Sequence, residues 1–134
     1  MHQHGKKKIL VVVDDLLFTV KISDAAKRAG LEAEFVRSEK DVIDKATNEK
    51  PLLIILDLNN NSVQPLELIS KLKGDGDLRH ISLIGYLSHV QGELKQKAQE
   101  AGAITIFFEV ELLDVQLERL LLESITYKGI ATGS

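Results

Sequence analysis

The 134-residue sequence contains no cysteine and no tryptophan. The absence of cysteine excludes disulfide bonds, thiolate nucleophiles and cysteine-ligated metals, and it fits a reducing compartment. We therefore expect a cytoplasmic protein. Uninterrupted apolar stretches reach only five or six residues, whereas a membrane-spanning helix needs about 20. The first eight residues are polar and basic and lack the apolar region of a signal peptide, so we expect no membrane partner.

The chain also lacks an excess of positive charge, because its formal net charge is −3 at pH 7. It carries no basic patch and no appended helix-turn-helix motif, so nucleic acid is not an expected partner. Hydrophobic residues make up 44% and charged residues 28%, which is typical of soluble globular proteins. At this length the chain is expected to form one domain with a sizeable core.

What the sequence does contain is two short apolar runs that each end in acidic residues. Ile9–Val13 is followed by Asp14 and Asp15, and Leu52–Leu56 is followed by Asp57. A continuous apolar run of this length is typical of a strand buried on both faces of a parallel sheet. Ligands of open α/β sheets bind at the carboxyl ends of the strands. The pattern therefore predicts a cluster of three carboxylates at one edge of the sheet.

Strand-like and helix-like segments alternate along the rest of the chain. This order predicts an α/β fold of the (βα)5 type, with a five-stranded parallel sheet and helices on both faces. The predicted domain covers residues 8–125, between a leader at 1–7 and a flexible tail at 126–134. The predicted strands are 9–13, 33–36, 52–57, 81–87 and 104–108. The predicted helices are 16–29, one that begins after Ser38, one that begins at Pro65, 92–101 and 111–125.

The three carboxylates allow two interpretations. In the first, Asp15 caps the first helix, Asp14 is solvated and Asp57 caps the turn after its strand. In the second, the acids form a site for a hard divalent cation such as Mg²⁺, because carboxylate and carbonyl oxygens are its preferred ligands. A bound cation would relieve the repulsion between like charges that raises carboxylate pKa values. Spacing alone leaves both interpretations open.

The order of four short motifs resembles the CheY-like receiver domain of two-component response regulators over nearly the whole chain. The motifs are Val12-Val13-Asp14-Asp15, Ile55-Leu56-Asp57-Leu58-Asn59, Leu66-Glu67-Leu68 and Ala101-Gly102-Ala103. The resemblance implies that Asp57 is the phosphoacceptor. It also implies that Asp15, Asp57 and the backbone carbonyl of Asn59 bind Mg²⁺, with Asp14 as the supporting acid. In such a site the metal neutralises charge on the transferring phosphoryl group.

Two positions depart from the receiver pattern, which implies an atypical or degenerate member. The lysine that normally pairs with the phosphoryl group is replaced by Glu109, and the normal threonine or serine at the end of the fourth strand is replaced by Leu87. Ser88 follows one residue later, but a shift of one residue reverses the two faces of a strand. A carboxylate at position 109 would repel a phosphoryl dianion in a partly desolvated site. We therefore expect weak phosphorylation and, at most, weak binding of Mg²⁺.

The last predicted helix has more apolar side chains than one buried face requires. Its two apolar stripes are formed by Leu113, Leu117, Leu120 and Leu121, and by Leu112, Val115 and Leu122. The second stripe is predicted to be an interface for a protein partner or for a homodimer. The alternative is a helix packed deeply against the sheet, or scattered leucines on the surface, which are common.

Three functions are compatible with these features. The favoured hypothesis is a signalling domain, not an enzyme, that acts through contact with a protein such as a sensor histidine kinase or a downstream effector. The second is a working phosphoswitch in which a histidine kinase phosphorylates Asp57. The third and most remote is a small Mg²⁺-dependent aspartyl phosphatase. Such hydrolases carry a second acid two residues after the nucleophile, where this chain has Asn59, and the chain leaves little room for a substrate pocket.

Overall fold

The computed structural model describes residues 7–60, 63–87, 92–107 and 115–123. The strands are β1 (Lys8–Val12), β2 (Glu32–Phe35), β3 (Leu53–Asp57), β4 (Ser82–Leu87) and β5 (Ile104–Phe107). The helices are α1 (Leu16–Arg28), α2 (Glu39–Glu49), α3 (Pro65–Gly74) and α4 (Gly92–Ala101), with a further helical segment, α5, at 115–123. Within these ranges no helix is long and apolar enough to cross a membrane. Most of the predicted leader and the whole predicted tail lie outside the described residues, so the domain boundaries stay predictions.

The strands form one parallel sheet in the order β2-β1-β3-β4-β5. β1 lies beside β3, with Leu10 opposite Ile54 and Val12 opposite Leu56. The two strands therefore end at the same edge of the sheet, and the acidic residues that follow them are carried to that edge. The predicted α/β fold with a parallel sheet is confirmed.

Helices cover both faces of the sheet. Side chains alternate between the two faces along each strand, so the strands contribute to two separate hydrophobic clusters. On one face, which we call the α3 face, helices α2, α3 and α4 pack against Leu10, Val12, Ile54, Leu56, Leu83 and Leu87. On the other, which we call the α1 face, helices α1 and α5 pack against Ile9, Val11, Leu53, Ile55, Ile84 and Tyr86.

The starts of α2 and α3 follow local signals in the sequence. Ser38 precedes α2, and its Oγ accepts a hydrogen bond of 3.2 Å from the Asp41 amide. Such a cap satisfies an amide that has no partner within the helix. Pro65 occupies the first turn of α3, where no backbone donor is needed. Both predicted helix starts are confirmed.

The two apolar stripes of the last helix differ in burial. Leu117 and Leu121 are fully buried, whereas Val115 is 59% exposed and Leu122 is 46% exposed. The first stripe therefore faces the core and the second faces outward, as the pattern predicts. Leu112 lies outside the described residues, and the interface role of the second stripe stays a prediction.

An ion-pair network holds the start of β1. Lys8 contacts Glu34 at 3.2 Å and also pairs with Glu49, and Lys45 contacts Glu34 at 2.5 Å. Hydrogen bonds to Glu49 and then to Glu34 raise the pKa of Lys8 above its ordinary value. Lys8, the first residue of β1, therefore joins this strand to β2 and α2.

Candidate functional site

Asp57 is the last residue of β3, at the edge where ligands of parallel sheets bind. Its side chain is half-buried, and its Oδ1 accepts a hydrogen bond of 2.8 Å from the Asn59 amide. Its backbone carbonyl accepts a second hydrogen bond, of 3.1 Å, from the Asn60 amide. Together these bonds close a turn directly after the strand, as the capping interpretation predicts.

Asp14 and Asp15 follow β1 at the same edge, and both side chains are exposed. Asp15 is the N-cap of α1, because its Oδ1 accepts hydrogen bonds from the amides of Leu17 at 2.8 Å and Phe18 at 3.3 Å. The predicted capping role of Asp15 is confirmed. The described hydrogen bonds to Asp15 and Asp57 involve only Oδ1, so capping does not occupy the Oδ2 atom of either residue.

The three carboxylates act on one another electrostatically. Burial raises the pKa of Asp57, the hydrogen bond from the Asn59 amide opposes this shift, and the charges of Asp14 and Asp15 raise the pKa further. Like charges at short range disfavour ionisation, which explains the direction of the last effect. The structure thus brings the three predicted acids together at one edge of the sheet, whereas their roles in phosphorylation and metal binding stay predictions.

We expect the substitution Asp57→Asn to raise the melting temperature at neutral pH when metal ions are chelated. The raised pKa means that the folded state binds the Asp57 proton more tightly than the unfolded state does. The resulting stability is complete below the ordinary pKa of 3.8 and is lost as the pH rises through the higher pKa of the folded state. Asparagine removes the charge, so the advantage of the variant should disappear as the pH falls toward 3.8.

Thermal unfolding of wild type and Asp57→Asn across this pH range is the measurement. Asp44→Asn, at an exposed position of α2, is the control and should leave the pH dependence unchanged. A variant no more stable than wild type at neutral pH would show that the burial of the Asp57 charge and the repulsion around it do not affect folding.

The donor atoms at this edge fit a hard divalent cation. The carboxylates of Asp14, Asp15 and Asp57 and the backbone carbonyl of Asn59 offer only oxygen ligands. A cation would also relieve the repulsion that raises the pKa of Asp57. Among the residues that the structure describes, however, no three acidic or histidine side chains are grouped closely enough to hold a metal ion. A bound cation would therefore have to draw the acidic side chains closer together.

The neighbouring strand, β4, places two different side chains at this edge. Tyr86 lies opposite Asp57 in the sheet register and is buried on the α1 face, with its ring 5.1 Å from that of Phe18. Burial, followed by the negative charge of Asp57, raises the pKa of Tyr86, so the phenol keeps its proton. Leu87 is 1% exposed and packs on the α3 face. The predicted switch position therefore holds an apolar core side chain that cannot donate a hydrogen bond.

The turn after β3 is packed against both neighbouring strands. The amide of Leu58 donates to the carbonyl of Tyr86 at 3.1 Å. The Leu58 side chain lies directly over Gly85, where an added Cβ atom would lie only 2.9 Å from Leu58 Cδ2. On the other side, Asn60 is buried and its Nδ2 donates to the carbonyl of Val12 at 3.2 Å. The turn is thus fixed to β4 through Leu58 and to β1 through Asn60.

The roles of Tyr86 and Asn60 at this edge were not identified from the sequence. Alternation of faces along neighbouring strands could have placed Tyr86 on the same face as Asp57. No local signal indicates the contact of Asn60, because its partner Val12 lies 48 residues away in the chain. The predicted site residues that lie outside the described residues are Ser88, Glu109 and Leu112.

The first turns of α1 expose an apolar surface beside the acidic site. Leu16 is 76% exposed, and Leu17 and Val20 are also exposed. We call these three residues the α1 patch. Because Leu16 directly follows the N-cap Asp15, the patch borders the sheet edge that carries the acids. Exposed apolar side chains grouped in this way are typical of protein interfaces, and sequence reasoning did not identify them.

Comparison with known proteins gives two independent matches. Over 96 residues the chain is 27% identical to the polar-differentiation response regulator DivK of Brucella anthropi, a match that covers 72% of this chain and 78% of the relative. The chemotaxis response regulator CheY4 of Vibrio cholerae matches the structure with a TM-score of 0.75 at 19% identity, covering 90% of this chain and 99% of that one. The chain is homologous to DivK and has the receiver fold. The resemblance to CheY-like receiver domains is therefore confirmed, although no family model matches the sequence.

Two further solved structures share the receiver fold and differ in what they carry. The phosphorylated cyanobacterial phytochrome response regulator RcpA matches with a TM-score of 0.73 at 21% identity, covering 89% of this chain and 91% of that one. The Mn²⁺-bound form of the response regulator Rcp1 matches with a TM-score of 0.71 at 17% identity, covering 85% of this chain and 91% of that one. The phosphoryl group and the metal are properties of those two proteins, because a likeness at such identity shows the fold alone.

Proposed function

We propose that this receiver-fold chain is a two-component signalling domain that acts mainly through protein contact, with weak phosphorylation of Asp57. Homology to DivK and the receiver fold support the signalling role. The observation that supports weak phosphorylation is the burial of Leu87, which is 1% exposed on the α3 face. The receiver pattern has a hydroxyl at this position, whereas leucine has no hydrogen-bond donor to offer a phosphoryl group.

The charge balance of the site also supports weak phosphorylation. Burial raises the pKa of Asp57, and the negative charges of Asp14 and Asp15 raise it further. A phosphoryl group on a side chain carries a charge of about −1.5 to −2 near neutral pH. In the receiver pattern a lysine offsets this charge, but the corresponding position in this sequence holds Glu109. The phosphorylated state would therefore add negative charge to a site that is already acidic.

We further propose a weak divalent-cation site, with Mg²⁺ as the cellular ion. Asp15, Asp57 and the backbone carbonyl of Asn59 would be the ligands, and Asp14 would be the supporting acid. The oxygen-only donor set supports this assignment, as does the Mn²⁺ bound by Rcp1, which has the same fold. When bound, the cation would supply positive charge that offsets the repulsion between the acids. Asp15 and Asp57 could keep their caps through Oδ1 and bind the ion through Oδ2.

The α1 patch is the contact surface in this proposal. A protein that reaches Asp57 must approach the sheet edge that Leu16 borders, so we assign the patch to a sensor histidine kinase or a downstream effector. The exposed side of α5, with Val115 and Leu122, would serve a second contact such as a homodimer. Homology to DivK and the lack of cysteine support a cytoplasmic location.

The intact mass of the protein after incubation with acetyl phosphate and Mg²⁺ tests the proposal, with Asp57→Asn as the matched control. We expect a phosphoryl adduct on only a minor fraction of wild-type chains and none on the variant, because the site lacks the hydroxyl and the lysine of the receiver pattern. Circular dichroism checks that both proteins are folded. A phosphoryl adduct on most wild-type chains, absent from the variant, would overturn weak phosphorylation in favour of a phosphoswitch.

A phosphoswitch is the second candidate, and the position of Asp57 favours it. The half-buried carboxylate lies at the ligand-binding edge of the sheet, with Oδ2 not used in capping. Asp57 could attack the phosphorus of a phosphohistidine, forming an acyl phosphate while the imidazole leaves with the bonding electron pair. We propose that the chain is not an enzyme that turns over substrate, since the aspartyl phosphatase hypothesis has no comparable observation in its favour.

A further inference from the structure

We propose that Asn60 is a positioning residue, whose side-chain amide sets the separation between the two halves of the acidic site. One half, Asp14 and Asp15, follows β1, and the other half, Asp57 and Asn59, belongs to the end of β3 and its turn. The inference rests on the proposed cation site for its functional consequence. The claim that Asn60 holds the two halves at a fixed separation depends only on the contacts of Asn60.

The contact of Asn60 bridges the ends of the two acid-bearing strands. Its Nδ2 donates to the carbonyl of Val12, the last residue of β1, at 3.2 Å. Its own backbone amide donates to the carbonyl of Asp57 at 3.1 Å. Asn60 is only 6% exposed, which is uncommon for an asparagine side chain. A single buried side chain therefore connects the residue two before Asp14 with the turn that carries Asn59.

The backbone shows how the Asn60 side chain reaches the edge of β1. The carbonyl of Val11 accepts from the amide of Val36 at 2.9 Å, on the β2 side of β1, so the next carbonyl, that of Val12, faces β3. Beyond Asp57 the chain turns away from β1, because the Leu58 amide donates to the carbonyl of Tyr86 on β4. A carbonyl oxygen has two lone pairs, so the Asn60 side chain can donate to Val12 in addition to the donors of the strand ladder. This bond ties the turn after β3 to the end of β1.

This contact has a direct consequence for the candidate ligands. The turn that Asn60 holds also presents the carbonyl of Asn59 and directs the Asn59 amide to Asp57 Oδ1 at 2.8 Å. If the link to β1 is lost, the turn and Asp57 can move relative to Asp14 and Asp15. Residues that orient metal ligands without touching the metal commonly change metal affinity by about 10- to 100-fold when they are replaced.

Two measurements on the full chain test the inference. The first is amide hydrogen exchange of Asn59 by NMR with metal chelated, for wild type and for Asn60→Leu, which keeps the branched shape of the side chain but has no donor. We expect exchange to be at least about 10-fold faster in the variant, while amides in the middle of β3 keep their rates. The second is titration with Mn²⁺ alone, where we expect the dissociation constant to rise by about 10-fold.

Two further variants make the test robust. Asn60→Ala serves where leucine prevents folding, and Gln64→Ala is the matched control. Gln64 is an exposed amide near the same turn that makes no side-chain cap of α3, so its removal should change neither measurement.

The outcomes separate this inference from the proposed cation site. Unchanged exchange at Asn59 in both Asn60 variants would overturn the positioning role, whatever the Mn²⁺ titration shows. Faster exchange confined to the turn, in a chain whose wild type binds no Mn²⁺, would support the positioning role and overturn the cation site. Loss of protection throughout β3 would mean that Asn60 supports the fold as a whole, which would also overturn a specific positioning role.

Discussion

Replacement of Leu117 by alanine is expected to lower the free energy of unfolding by about 2–5 kcal/mol. Leu117 is fully buried and belongs to the cluster on the α1 face that also contains Phe18 and Tyr86. Truncation removes apolar contacts and leaves a cavity, because a close-packed cluster relaxes only in part. Urea denaturation followed by circular dichroism gives the difference directly.

Val115→Ala and Leu122→Ala are the matched controls on the same helix. Both side chains are about half exposed, so each substitution should change the free energy of unfolding by no more than about 0.5 kcal/mol. A decrease in the free energy of unfolding of less than about 1 kcal/mol for Leu117→Ala would contradict the packing of α5 on the α1 face. Large costs at Val115 and Leu122 that grow with protein concentration would instead show that the second stripe is buried in a homodimer.

Replacement of Leu87 by threonine, the residue type of the receiver pattern, is expected to destabilise this protein by about 2–4 kcal/mol. Leu87 is 1% exposed and packs on the α3 face, so threonine would remove apolar volume and place a hydroxyl in an apolar cluster. Equilibrium denaturation of the variant beside wild type measures the effect.

Leu87→Met is the control for this substitution, because a change that conserves volume and polarity usually costs less than about 1.5 kcal/mol. If the threonine variant is as stable as the methionine variant, the end of β4 accepts a hydroxyl without penalty. That result would contradict the tight apolar packing of Leu87 on the α3 face.

Much of the fold could be predicted because its signals are local. The continuous apolar run that ends at Asp57 became a buried strand, and the first helix begins directly after its cap, Asp15. Ser38 and Pro65 start the helices that they were expected to start. Each of these features depends on residues within a few positions of one another, where backbone geometry and capping chemistry dominate.

The parts that could not be predicted depend on residues far apart in the chain. Nothing near Lys8 in the sequence indicates that it pairs with Glu34 and Glu49 on other elements. Nothing near Asn60 indicates that its side chain is buried against the end of β1. Polar residues carry no sequence signal of burial, since the same side chain suits water or a buried partner.

The sequence by itself determined the α/β architecture, the placement of Asp14, Asp15 and Asp57 at strand ends, and the two stripes of the last helix. Apolar periodicity is enough for these features because it follows the geometry of single helices and strands. Only the tertiary structure decided that β1 and β3 are neighbours, that Leu87 faces the core and that Asn60 links the two halves of the site. Those outcomes depend on which surfaces are buried against each other, and burial is a property of the whole folded chain.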